Sequence, residues 1–256
     1  MVFKKVILFL FLALNIDFCV FSQQTIKNFY LSNWQKEGKK WELKGREALI
    51  RGDCIDIKNM QATYFLKERT ILLNSEKGRV VRPDMNVFLK NNVNLKTDDG
   101  ITLHSSSLSW QKRRFLSTSD KVRLRRDSMR VEARGLLADT ELGKINFKKD
   151  VKVDLVNEDE KIIITCQGPL EIDYNQNKAV FNKKVVVVSP QGKIISDKSV
   201  LYFDKDKKRI VKIICEGNVK IEKDNNVTFA QKATYIEKDK RIILEGKPRL
   251  IIFPKK

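Results

Sequence analysis

From Trp41 onward the chain is written in short stretches where apolar and charged residues alternate. Val93-Asn-Leu95, Lys121-Val-Arg-Leu-Arg125, Val151-Lys-Val-Asp-Leu155 and Asn218-Val-Lys-Ile221 are representative. A period of two is the pattern of a strand with one face buried and the other in water. No stretch beyond the N-terminal segment sustains a helical period, and only Gln24–Gly38 leaves room for a short helix. Turn signals punctuate the strands at Asp98-Asp99-Gly100, Pro190-Gln-Gly192, Asp204-Lys-Asp206 and Lys223-Asp-Asn-Asn226. The predicted class is all-β and antiparallel.

The strands repeat. Asn92-Val93, Lys121-Val122, Asp150-Val151, Lys184-Val185 and Asn218-Val219 each open a similar alternating stretch, at valine spacings of 29, 29, 34 and 34. Ile163–Ile172, Ile213–Ile221 and Ile243–Leu250 resemble one another around Gly168, Gly217 and Gly246. The recurring interval fits a multiple of one strand plus one turn. It implies a stacked β-structure whose units cannot bury a face alone. One face is Val, Ile, Leu and Phe; the other is Lys, Arg, Asp, Glu and Asn. A flat sheet would leave the first exposed, and no helices are available to cover it, so the sheet must fold on itself as a sandwich, jellyroll or trough.

Composition narrows the function. The 256 residues carry a formal net charge of +19 and are 42% hydrophobic, enough for a core and a flag for an anionic partner. Met1–Ser22 reads as an export signal, with Lys4 and Lys5 before an apolar run over Val6–Leu14 and a cleavage point before Gln23. An uncleaved anchor is the alternative, but Asn15 and Asp17 interrupt the apolar run. Export and the lack of nucleic-acid-binding motifs argue against nucleic acid. His104 beside Ser105–Ser107 has no nucleophile elbow or placed acid, so no catalytic residue is assigned. No metal-ligand spacing occurs, and no cofactor is expected. Cys166 and Cys215 occupy equivalent repeat positions about three strands apart, beyond the roughly 7 Å reach of a disulfide, and are expected to be free buried thiols.

Residues 30–160 resemble the periplasmic lipopolysaccharide-export family LptC. The likeness is carried by Trp41–Ala48, Gly100–Trp110, Leu116–Val122 and Gly135–Asp139. Residues 161–256 resemble the LptA group of OstA-like modules, through Ile194–Phe203, Glu216–Val219 and Ala233–Gly246. The resemblance implies an elongated antiparallel, V-shaped β-jellyroll, the second module continuous with the first. It further implies a non-enzymatic periplasmic bridge. Such a bridge accepts lipopolysaccharide from an inner-membrane ABC transporter and passes it toward the outer membrane, acyl chains inside an apolar trough and head group in water. Attachment to the inner membrane would be through the transporter or an uncleaved anchor. The competing reading is a structural or anionic-polysaccharide-binding β-solenoid of the cell envelope.

For a trough, the expected lining is Val93, Leu95, Trp110, Phe115, Val122, Leu124, Phe147, Val151, Val153, Phe181, Val185, Val187, Val219 and Ile221, with Phe88 and Phe203 as further walls. Burying a lipid chain there is worth about 0.8 kcal/mol per methylene. Lys112–Arg134 is strongly basic, and Arg113, Arg114, Arg123, Arg125 and Arg126 are candidates for an anionic head group. The same arginines also fit the solvated outer face of alternating strands. Terminal strands would serve as open edges for β-augmentation, near Trp41–Ile50 toward the transporter and at Arg249–Phe253 toward further LptA-like modules or an outer-membrane translocon. Pro248, Pro254, Lys255 and Lys256 stand where an edge blocker would stand.

Overall fold

The structure, a computed structural model, describes residues 24–36, 38–66, 69–82, 84–112, 114–157, 160–204 and 209–253. Met1–Ser22, read above as an export signal, and Arg113, Pro254, Lys255 and Lys256 lie outside the described residues. The chain is all β. The first nine strands are β1 (Gln24–Gln35), β2 (Gly38–Arg51), β3 (Cys54–Phe65), β4 (Thr70–Val81), β5 (Asn86–Thr97), β6 (Thr102–Gln111), β7 (Phe115–Arg126), β8 (Met129–Asp139) and β9 (Lys144–Asn157). Then come β10 (Glu160–Cys166), β11 (Leu170–Asp173), β12 (Lys178–Ser189), β13 (Gly192–Phe203), β14 (Ile210–Lys223), β15 (Asn226–Ile236), β16 (Arg241–Glu245) and β17 (Arg249–Ile252).

All belong to one 17-stranded antiparallel sheet. Each strand up to β9 pairs with its successor. Strand β9 then pairs with both β10 and β11, which act as one interrupted strand and both pair with β12. Strands β16 and β17 interrupt in the same way against β15. Counting each interrupted pair once, the 17 strands make fifteen rungs of a meander, with β1 at one edge and β16–β17 at the other. The predicted repeat unit is this rung plus its turn. The turn signals fall at strand boundaries, with Lys205 and Asp206 outside the described residues.

Two expectations are corrected. Gln24–Gly38 contains no helix: Gln24–Gln35 is strand β1, paired along its length with β2. Phe29, Tyr30 and Trp34 favour a strand, and pairing with the alternating β2 outweighs weak local preference. The first edge is consequently β1, and Trp41–Ile50 lies in β2, flanked on both sides.

The second correction concerns the repeated dipeptides, which sit in the middle of long strands rather than at their starts. Register shifts fall at Lys90/Val93, Thr118/Lys121, Asn182/Val185 and Glu216/Val219, and at Glu132/Arg134 of β8, opposite Asp150. Asn92, Asp150, Lys184 and Asn218 adopt left-handed backbone there, with φ of 51°, 54°, 52° and 47°. Such bulges bend a strand and increase its twist. Each rung therefore gives one half to one wall of the sheet and the other half to the opposite wall, the geometry of an elongated β-jellyroll. At Gly168, between β10 and β11, only glycine fits the bend. Its φ is +98°, and a Cβ would lie 2.5 Å from the Lys148 carbonyl oxygen.

The bend brings distant rungs together. Tyr64, near the end of β3, meets Trp110, near the end of β6, edge to face with ring centroids 4.2 Å apart. Their strands are not neighbours in the ladder, so the rings touch only because the sheet folds on itself.

Candidate functional site

The interior between the two walls is the candidate site, and two rows of directly opposed residues build it. On one wall the row runs Leu31, Leu43, Ala62, Leu73, Leu95, Leu103, Leu124, Val131, Val153, Ile164, Val187, Ile194, Ile221, Thr228 and Leu250, each facing the next across the ladder. All but Thr228 are aliphatic. On the other wall it runs Gln24, Ile50, Ile55, Val80, Val87, Trp110, Leu116, Ala138, Ile145, Ile172, Ala179, Leu201, Ile213, Tyr235 and Ile242. At about 4.8 Å per strand, fifteen rungs give two apolar rails roughly 65–70 Å long.

Most of the expected lining is on this inner face. Val93, Leu95, Trp110, Val122, Leu124, Phe147, Val151, Val153, Phe181, Val185, Val187 and Val219 are buried, and Ile221 is half-buried against them. Phe203 also packs on this core. Phe115 and Phe88 are corrections. Phe115 is 36% exposed, because Leu116 takes the inward position opposite Trp110 and Ala138 and the pleat turns Phe115 outward. Phe88 stands outward for the same reason, between the buried Val87 and Leu89.

The interior is not uniform along its length. From β4 to β9 the walls pack on each other, and Leu73, Val93, Val122, Val131 and Phe147 have no exposed surface. Further along, Ile164, Val185 and Leu201 are equally covered, but between β10 and β16 the walls part around a cavity of about 210 Å³, lined by Ile162, Val187, Ile194, Ile213, Cys215, Ile221 and Ala233. Glu160, Gln191, Lys193 and Lys223 form one lip and Tyr235, Glu237 and Lys240 the other. The cavity is below the usual range of roughly 300–1,000 Å³ for a small-molecule pocket; its character is that of a widening in a long groove. The expected lining did not include Ile162, Ile194, Ile213, Cys215, Ala233 or Tyr235. Ile213-Ile214 breaks the alternation, so periodicity alone could not say which of the two faces inward.

The lip chemistry is local. The Tyr235 hydroxyl donates to Glu237 at 2.5 Å, and Lys240 pairs with the same carboxylate. Burial, followed by the hydrogen bond to Glu237 and its charge, pushes the Tyr235 phenol up to about 12. Burial opposes the Glu237 carboxylate, but Lys240 and Tyr235 outweigh it and hold its pKa below the usual value. Ser199 donates to the sulfur of the cavity-lining Cys215 at 3.3 Å, and the Ser196 and Ser199 hydroxyls lie 2.9 Å apart. Burial raises the thiols of Cys215 and Cys166 above their usual range, so both are poor nucleophiles at neutral pH. They are free, on rungs three apart as expected, while Cys54 is only half-buried.

The four described arginine candidates are not brought together. Arg114 is held by Asp139 at 2.6 Å and Glu141 at 3.0 Å and stacks on Phe115. Arg123 and Arg125 point outward on β7, Arg123 beside Glu132. Only Arg126, at the end of β7, shares the inward parity of Val122 and Leu124, and its side chain is 16% exposed. His104 bonds Asn94 on the exposed face while Ser105 is buried on the other, so the two do not form a pair. No cluster of His, Cys, Asp and Glu fit for a metal occurs among the described residues.

Comparison with protein families places this interior in context. A family model described as "Lipopolysaccharide-assembly, LptC-related" matches residues 22–156. A second, described as "LptA/(LptD N-terminal domain) LPS transport protein", matches residues 169–252. No individual curated protein matches the chain. The first match covers more than half of the molecule and the second follows it along the same unbroken sheet. The chain thus belongs to the LptC-related lipopolysaccharide-assembly family, with an LptA-like transport module behind it, and has a role in lipopolysaccharide transport.

Proposed function

We propose that this chain is a periplasmic lipid-transfer bridge. It takes lipopolysaccharide from an inner-membrane ABC transporter and conducts it toward the outer membrane, acyl chains between the walls and the head group outside. The role is non-enzymatic, and the two matched modules work as one conduit. The observation that carries this reading is the continuity of the apolar rails, the first aliphatic from Leu31 to Ile221 with Thr228 as its one polar member, the second apolar from Ile50 to Ile242 after Gln24 at the β1 edge. The rails also stay open at both ends. Leu31 and Ile26 on β1 are 41% and 43% exposed on the inner face, and Leu250 and Ile252 on β17 are 60% and 69% exposed there. A self-contained core would cover its last rungs; a conduit hands its inner face to the next module. The β1 edge would face the transporter and β17 the next module or the translocon.

The test is equilibrium binding of lipopolysaccharide to the purified chain. Ile221→Asp puts a charge on the cavity wall and is expected to weaken binding at least about tenfold, since an unpaired buried carboxylate is costly. Lys220→Asp, its neighbour on the opposite face, is expected to leave it within about twofold, because surface changes of this kind are small. Equal effects of the two substitutions would refute an interior site.

A further inference from the structure

Arg126 and Tyr174 belong to different modules and to opposite walls. Arg126 ends β7, in the segment matched to LptC, and Tyr174 follows β11, in the segment matched to LptA. The Arg126 guanidinium lies 5.0 Å from the centre of the Tyr174 ring. The two rungs are three apart, the same separation that joins Tyr64 to Trp110 across the fold. The contact therefore closes the mouth between the walls at the junction of the modules. On one side of it lies the packed interior of β4–β9, and on the other the open cavity.

The closed pair is incompletely satisfied. The Arg126 Nε and the Tyr174 hydroxyl are both buried without a hydrogen-bond partner. Arg126 reaches Asp99 with one terminal nitrogen at 3.4 Å, and the Asp127 carboxylate lies 3.9 Å from Nε, beyond hydrogen-bond distance. A buried donor left unpaired is a cost that a ligand can remove. A guanidinium fork pairs with phosphate through two parallel N–H donors, a stronger partner than an aromatic face.

We propose that Arg126 and Tyr174 form a latch across the mouth, opened when the phosphate of a lipid head group takes the Arg126 guanidinium from the tyrosine ring. This rests on the lipid-bridge reading and adds to it a place where the head group is read and the walls are released. A lipid passing from the first module to the second must cross this point. The latch admits it when its phosphate arrives and stays shut to lipids lacking one.

The experiment measures binding of bisphosphorylated lipid A, and of the same lipid with both phosphates removed, to the full exported chain. The wild type is expected to prefer the phosphorylated lipid by about tenfold or more, the scale of one charge-assisted hydrogen-bond pair. Arg126→Gln is expected to abolish the preference and to bind the dephosphorylated lipid more tightly than the wild type does, because the latch is gone. Arg126→Lys keeps the charge without the fork and is expected to retain part of the preference. Tyr174→Leu removes the ring from the other wall and is expected to tighten both lipids while keeping the preference. Should Arg126→Gln fail to fold, the lysine and leucine variants carry the test, with thermal melting as the check. An undiminished preference in Arg126→Gln, equal weakening of both lipids, or wild-type binding by Tyr174→Leu would overturn the latch. Equal wild-type affinity for the two lipids would overturn it and leave the bridge standing; binding of neither would overturn both.

Discussion

Single residues decide which side of this sheet is water and which is oil. Phe115 and Leu116 are neighbours and both apolar, yet one lies outside under Arg114 and the other inside against Trp110. Hydrophobicity could not separate them; register could, because a pleated strand sends successive side chains to opposite faces. Arg114 shows the same point for charge. Its hydrogen bonds to Asp139, together with the backbone N–H groups of Leu142 and Glu141, hold the Asp139 carboxyl below the usual range. A carboxylate depressed in the folded state adds stability that is complete above its unfolded pKa and is lost as pH falls through the folded one. Asp139→Asn is therefore expected to flatten the acid limb of a melting-temperature profile below about pH 4. An unchanged acid limb would show that the pair is a solvent-screened surface contact of no consequence. Arg126 was among the arginines singled out by sequence. Its distinction from Arg123 and Arg125 needed the strand's parity, and its partner Tyr174 lies far along the chain, beyond β11.

At the level of elements, the repeat was legible and its meaning was not. The recurring valines mark every second rung: Val93 on β5, Val122 on β7, Val151 on β9, Val185 on β12 and Val219 on β14. Asn92, Asp150 and Asn218 precede their valines because a left-handed backbone is cheaper for short polar side chains than for branched ones, with Lys184 tolerated at an exposed bulge. A dipeptide that breaks alternation in sequence reads as a boundary between two short strands, whereas the ladder continues across it with a shift of register. Strand β1 was misread for the opposite reason. Its alternation is weak because it is an edge, buried among its described side chains only at Phe29, which covers Gly45 of β2, and open at Ile26, Tyr30, Leu31 and Trp34. The other edge gives a direct prediction. Leu250→Pro on β17 blocks a β-augmenting partner. Assembly with a downstream LptA-like module, followed by size-exclusion chromatography, is expected to be lost while circular dichroism of the monomer is unchanged. Normal assembly of this variant would place the interface elsewhere.

On the scale of the whole molecule, the excess positive charge and the apolar 42% are the two faces of one sheet. Lys121, Arg123, Arg125 and Arg130 stand outward on β7 and β8 while Val122, Leu124 and Val131 stand inward between them. That division was readable from alternation, as was the need for the sheet to fold on itself. The unequal interior was not, because whether opposed walls touch or part depends on side chains from rungs three apart. The walls meet from β4 to β9 and part around the cavity between β10 and β16, so in the proposed bridge an acyl chain entering at β1 would separate packed side chains before it reaches the cavity. In the proposed bridge, lipid travels along the inner face and not over the outer one. This path is tested most directly by photo-crosslinkers at four edge positions matched in exposure and apolarity. Leu31 and Leu250 lie on the inner face and are 41% and 60% exposed, while their neighbours Tyr30 and Ile251 lie on the outer face and are 50% and 44% exposed. In cells, lipopolysaccharide adducts are expected at Leu31 and Leu250 and at neither neighbour; adducts at all four positions, or at none, would contradict the account.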